Sequence, residues 1–174
     1  AIEHAGVKPD VVAIAKGIAS GMPLGVAAAR GDLMTWPPGA HASTFGGNPV
    51  SCVAALETIK LLKASLIANA AAVGAHMKAG LMALMDKHPL VGEVRGRGLM
   101  LGVELVRDRT TKERAVEERN AVVNRAFERG LLVLGAGKNS IRFSPPLVLT
   151  REQADVAVRI FDEVLTDVGR TARR

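Results

Sequence analysis

Apolar and polar positions change period several times along the chain, and each change marks a predicted element. Val11 to Ala15 is an apolar run that reads as a buried strand ending abruptly at Lys16-Gly17. Val26 to Ala29 reads as a second short strand, and Gly31 to Met34 as a turn into a short helix. Trp36-Pro37-Pro38-Gly39-Ala40 stops that helix, because proline lacks an amide and restricts its predecessor. His41 to Asn48 is a polar, glycine-containing loop. Asn48-Pro49 then opens a helix, with Asn as cap and Pro at the first helical position. Val53, Leu56, Ile59 and Leu62 give it one apolar stripe. The helical pattern continues, with a bend near Ser65, to Met85 and is ended by His88-Pro89.

Beyond Pro89 the period shortens to two. Val91 to Arg97 and Leu99 to Val106 alternate as strands punctuated by Gly96 and Gly98. A helix is predicted from about Glu113 to Arg129, stopped by Gly130. Leu131 to Leu134 reads as a strand, Gly135 to Asn139 as a turn, and Ser140 to Ser144 as a further strand broken by Pro145-Pro146. Thr150 with Glu152 and Gln153 starts a last amphipathic helix that ends near Val168. Strands and helices in this order describe an α+β domain, preceded by a long connector between about residues 49 and 86. There is no internal repeat.

Composition narrows the function classes. The 174 residues carry a formal charge of +6. Basic residues are nevertheless dispersed among acidic neighbours, as in Arg107-Asp108-Arg109 and Lys112-Glu113-Arg114. With four Phe, one Trp and no Tyr there is no platform for stacking bases, so nucleic acid is not the expected partner. One cysteine, Cys52, excludes an internal disulfide framework and fits a reducing compartment. No apolar run suits a membrane span or signal peptide, and a cytoplasmic protein is expected. His4, His76 and His88 lack metal-ligand spacing, so no metal is expected. His41 is assigned a surface or interface role. The chain opens abruptly, without Met, which suggests part of a longer protein.

Three segments carry candidate chemistry. Lys16 ends an apolar strand beside glycine, and an amine there can form a Schiff base with an aldehyde; pyridoxal phosphate (PLP) is the natural candidate. Ser43-Thr44-Phe45-Gly46-Gly47-Asn48 places hydroxyls and paired glycines before a helix N-terminus. That suits a phosphate cradle, and equally an Asn cap with a tight turn. Arg142, between Ile141 and Phe143 in a strand, faces opposite to both and offers a fork for a carboxylate, or is simply a solvent-facing residue. Arg95 and Arg97 point to one face of their strand, to steer an acidic substrate or to form structural ion pairs.

Pro9 to Gly25, Ser43 to Pro49, Val94 to Leu105 and Ile141 to Leu147 together resemble, in order, segments of the class III PLP-dependent aminotransferases, above all 4-aminobutyrate aminotransferase. The resemblance implies an α/β fold: the end of the large domain of a fold type I PLP-dependent transferase plus a C-terminal α+β small domain. It implies domains at residues 1–60 (cofactor-binding), 61–86 (connecting helix) and 87–174 (small domain). Lys16 falls on the Schiff-base position, so it is both catalytic and cofactor-binding. Ser43 and Thr44 bind the cofactor, with Thr44 reaching the phosphate of the partner subunit in a homodimer. Arg142 binds the substrate carboxylate. The implied reaction moves an amino group from 4-aminobutyrate or a related amino acid to 2-oxoglutarate. Ornithine or acetylornithine aminotransferase, a PLP-dependent racemase, and a silent fragment acting only as a packing module are the alternatives. Family members are more than twice this long. A separate chain carrying the upstream half is therefore an expected partner, and this piece alone is expected to give no useful turnover.

Overall fold

The computed structural model describes residues 2–171. They divide into two compact units, one up to Ala64 and one from Ser65 onward.

The first unit contains an antiparallel ribbon of β1 (Val11–Ile14) and β2 (Val26–Ala29), in register from Val11↔Ala29 to Ile14↔Val26. The ribbon is closed by Arg30, whose amide donates to the Asp10 carbonyl and whose guanidinium pairs with Asp10 and Asp32. Both predicted strands form, but β1 is not buried: Val11 is 60% and Ile14 39% exposed. No layer of the described residues covers both faces of this ribbon. The short helix expected after β2 is a single 3-10 turn, Gly31–Leu33.

Helix α1 (Pro49–Leu61) starts as its sequence dictates. Asn48 Oδ1 accepts from the amides of Val50 and Ser51, and Pro49 occupies the first turn. Its buried side is not the expected apolar stripe. Ser51 and Ala55 are buried, whereas Val53, Leu56 and Ile59 are exposed. The side made of small residues is the one that admits another backbone closely. The bend expected near Ser65 is a π turn, Leu62–Leu66, which passes directly into α2 (Ile67–Lys87).

The second unit is an antiparallel sheet covered on one face by three helices. Its strands are β3 (Val91–Arg97), β4 (Met100–Asp108), β5 (Glu113–Arg114), β6 (Leu134–Ala136) and β7 (Ser140–Phe143). The order is β3-β4-β7-β6, with β5 pairing the end of β4. Helices α2, α3 (Val116–Glu128) and α4 (Arg151–Thr171) supply Met77, Leu81, Val122, Phe161 and Leu165 to a core shared with Val91, Leu101, Val103, Ile141 and Phe143. Phe143 and Phe161 meet edge to face, centroids 5.1 Å apart. Thr150 and Gln153 form the expected capping box: each side chain accepts from the other's amide.

Two boundaries move. Leu131–Val133 lies outside the sheet, because the register Leu134↔Arg142 to Ala136↔Ser140 puts the turn at Gly137 (φ +58°). Glu113-Arg114, expected to begin α3, instead extends the sheet beside Val106 and Asp108. At the β3–β4 hairpin, α2 approaches so closely that a Cβ on Gly74 would stand 2.2 Å from the Gly98 carbonyl.

Candidate active site

Lys16 sits where β1 gives way to a tight turn, and its backbone is in the left-handed region (φ +57°). A side-chain-bearing residue is disfavoured there by about 1 kcal/mol. The surroundings hold the turn in place. Ala15 is fully extended, Lys16–Ala19 forms a 3-10 turn, and Ser20 (φ +48°) closes it by donating its amide to the Gly17 carbonyl. Ala19 is fully buried, and Ala55 nearly so. Ser20 Oγ lies 2.8 Å from Thr58 Oγ1 on α1. Thr58 gives its own proton to the Ala54 carbonyl, so Ser20 is the donor of the pair. The result is a lysine on a turn clamped to a helix. Its ammonium is exposed and has no hydrogen bond or ion pair among the described residues. Ser20 and Thr58 escaped the sequence reading. Thr58 is a polar residue on the buried side of α1, which was the available signal.

The loop before α1 turns twice. The Gly46 amide donates to the Ser43 carbonyl, and the Asn48 amide to the Phe45 carbonyl. Gly47 takes φ +71°, and a Cβ on Gly46 would crowd Ser43 Cβ at 3.0 Å. The Asn cap and the tight turn are therefore both present. Because Asn48 takes the amides of Val50 and Ser51, those two are not free for a phosphate. The hydroxyls of Ser43 and Thr44 remain, exposed and without a hydrogen-bond partner among the described residues. No hydrogen bond joins either of them to Lys16; α1 is the common support. His41 lies against Trp36, ring centroids 5.5 Å apart.

Arg142 belongs to the second unit. It lies on the open face of the sheet, opposite the buried Ile141 and Phe143 as expected. The register sets it across from Gly102 on β4 and Leu134 on β6. Among the described residues its guanidinium has no hydrogen bond or ion pair. Arg95 and Arg97 share that face but differ in fate. Arg95 pairs with Glu93 and Glu104, whereas Arg97 makes no such contact among the described residues.

A cleft of about 910 Å³ elsewhere in the second unit is lined by acids and bases that satisfy one another. Asp162 accepts from His88 at 2.5 Å and from Lys87 at 2.9 Å. Burial pushes the Asp162 carboxyl up, but those two partners hold it below its ordinary value. Burial likewise raises Glu118, and the Arg107 hydrogen bond, a backbone hydrogen bond and the Arg107 charge together outweigh it, leaving that carboxyl lowered. These pairs bind elements together, and the second carboxylate oxygen of Glu118 is buried without a hydrogen-bond partner among the described residues. No group of His, Cys, Asp and Glu among the described residues is arranged to hold a metal, and no helix among them is long and apolar enough to cross a membrane.

Comparison with known proteins gives a consistent result. The family model for aminotransferase class-III matches residues 1–171. An acetylornithine aminotransferase of Caldanaerobacter subterraneus is 38% identical over 95% of this chain and 40% of its own length. A leucine/methionine racemase of Thermococcus litoralis is 41% identical over 97% of this chain and 38% of its own. The PLP-bound amine transaminase of an uncultivated Pseudomonas species superposes with a TM-score of 0.84 at 33% identity, over 95% of this chain and 40% of that one. The chain thus spans about two fifths of the length of the curated relatives it matches. Acetylornithine aminotransferases recur among them, which corrects the expected emphasis on 4-aminobutyrate aminotransferase.

Proposed function

The chain belongs to the class III aminotransferases, a PLP-dependent family, and from that premise we propose that it carries the cofactor lysine, Lys16, of an enzyme moving amino groups between an amino acid and a 2-oxo acid. The observation that carries the reading is the placement of Lys16: an unpaired amine on a strained turn that α1 holds from behind. Sites of this kind keep such strain because the surrounding structure over-determines it.

The residues present fit the cofactor. Lys16 Nζ is free to hold an aldehyde, and the Ser43 and Thr44 hydroxyls are free to donate to phosphate oxygens. A side chain at Gly46 would press on Ser43. Pyridoxal 5'-phosphate, when bound, supplies the electron sink that lets the substrate's amine-bearing carbon lose a proton. Lys16 Nζ takes that proton and delivers it again. Arg142 takes the substrate carboxylate in a two-point hydrogen bond. Thr44 serves the cofactor of a partner subunit in a homodimer. Residues 1–60 form the end of the cofactor-binding domain, 61–86 the connecting helix and 87–174 the small domain.

For the amino donor, N-acetylornithine is favoured by the recurrence of acetylornithine aminotransferases among the relatives, with 2-oxoglutarate as acceptor. Ornithine and 4-aminobutyrate are the alternatives within transamination. Racemisation is favoured by the relative from Thermococcus litoralis; Lys16 would then return the proton to the same substrate carbon. A second reading is that this chain is silent by itself and packs onto a further polypeptide. The exposure of Val11 (60%), Trp36 (57%) and Phe45 (72%) favours it.

The test is to add PLP, record the near-visible absorbance, reduce with borohydride and map the modified peptide. A new band and a pyridoxyl group on Lys16, both lost in Lys16→Ala, are expected. An adduct on other lysines only would overturn the assignment. Absence of both band and adduct supports the silent reading.

A further inference from the structure

The open face of the second unit's sheet is organised in two rungs. One runs Arg95–Gly102–Arg142–Leu134 across β3, β4, β7 and β6. The next runs Glu93–Glu104–Ser140–Ala136. Arg142 therefore has no side chain directly across on β4. Its diagonal neighbour there is Glu104, and diagonal positions about 7–8 Å apart are within reach of a long side chain. An exposed arginine beside a reachable carboxylate ordinarily pairs with it. Arg142 does not.

The reason lies with Arg95. Its Nη1 donates to Glu93 Oε2 at 3.0 Å and to Glu104 Oε2 at 3.3 Å. Its Nη2 passes over β4 to the Ser140 hydroxyl on β7 at 3.2 Å. That path is open because Gly102 carries no side chain; a Cβ there would already touch Arg95 Cγ at 3.9 Å. The other oxygen of Glu104 is held by the buried Asn139, whose Nδ2 donates to it at 3.2 Å and to the Leu105 carbonyl at 2.6 Å. Both oxygens of Glu104 are thus engaged, and Glu93 is engaged as well. With Arg97, this face sets three guanidinium groups against two carboxylates, and the groups left unpaired among the described residues are Arg97 and Arg142.

We propose that Arg95 is a positioning residue: by occupying Glu93 and Glu104 while it reaches Ser140 over the bare strand at Gly102, it keeps the Arg142 guanidinium free to receive a ligand carboxylate. The inference rests on the reading of Arg142 as carboxylate receptor. Without Arg95, Glu104 turns to Arg142 and competes with the ligand. Exposed ion pairs of this kind lower a competing affinity about two- to fivefold.

The experiment uses the whole chain and two readouts. The arginine side-chain Nε–H resonance of Arg142, assigned by its loss in Arg142→Lys, reports pairing in the ligand-free protein. Titration with glutarate, a dicarboxylate probe, reports affinity. In Arg95→Gln the Arg142 resonance should shift and exchange more slowly, and glutarate should bind about two- to fivefold more weakly. Adding Glu104→Gln to that variant should restore both. Arg95→Lys, which keeps the charge, guards against misfolding and should stay near wild type. An unchanged Arg142 resonance in Arg95→Gln overturns the proposal. So does a loss of affinity that Glu104→Gln fails to repair, since Arg95 would then act as a direct ligand or a structural strut. If glutarate leaves the Arg142 resonance of the unaltered protein unmoved and Arg142→Lys binds it equally well, the receptor reading fails instead, and the ligand-free resonance still judges the role of Arg95.

Discussion

Replacing Gly74 by alanine places a methyl group where the structure has no room. The Cβ would stand 2.2 Å from both the carbon and the oxygen of the Gly98 carbonyl, against an ordinary contact of 3.4 Å or more. Helix α2 and the β3–β4 hairpin would have to part by about 1 Å, and the obstacle is backbone, not a side chain that can rotate away. Overpacking of this kind costs about 1–3 kcal/mol, and a rigid obstacle argues for the upper end. Alanine's better helix propensity returns about 1 kcal/mol. The net expectation is a loss of about 1–2 kcal/mol. Gly169 in α4 is the control, because a Cβ there meets nothing within 4 Å. Gly169→Ala should gain up to about 1 kcal/mol from propensity alone. The assay is urea unfolding followed by far-UV circular dichroism. The lone tryptophan, Trp36, lies in the first unit and does not report on the second. Opposite signs for the two substitutions are expected, at similar denaturant slopes. A Gly74→Ala midpoint equal to or above wild type would refute the close approach of α2 to the hairpin.

Arg109 donates to the carbonyls of Met85 and His88 at the end of α2 and of Val91 at the start of β3, so Arg109→Ala should cost about 1–2 kcal/mol in the same unfolding assay. Lys16→Gly should stabilise the first unit relative to Lys16→Ala by about 1 kcal/mol, read from Trp36 emission, because glycine adopts φ +57° freely. Asp162 and Glu118 have carboxyls below their ordinary values, 3.8 and 4.5, when folded. The stability they contribute is thus complete above those values and is lost as pH falls through the lower folded ones. Thermal melts in increasingly acid buffer should show that decline, and Asp162→Asn should flatten it.

Local signals carried far. Asn48-Pro49, the Thr150/Gln153 box and the alternation around Arg142 each involve neighbours a few residues apart, and each forms as its sequence implies. The segment containing Lys16 was legible for the same reason: a strand ending in Lys-Gly is a local pattern. Tertiary structure decided what depended on distant partners. The apolar stripe of α1 is exposed and its small side buried, because close approach selects for size as well as hydrophobicity. β6 starts at Leu134, because pairing with β7 sets its register.

The sequence by itself determined the family, through residue identity in its motifs, and most of the strands and helices, through short-range periodicity. Only the tertiary structure separated Arg95 from Arg97 and Arg142, three arginines that alternation alone treats alike. Which of them is paired depends on the carboxylates of Glu93 and Glu104 and on the bare strand at Gly102. Glu104 and Gly102 come into place only when β4 lies between β3 and β7.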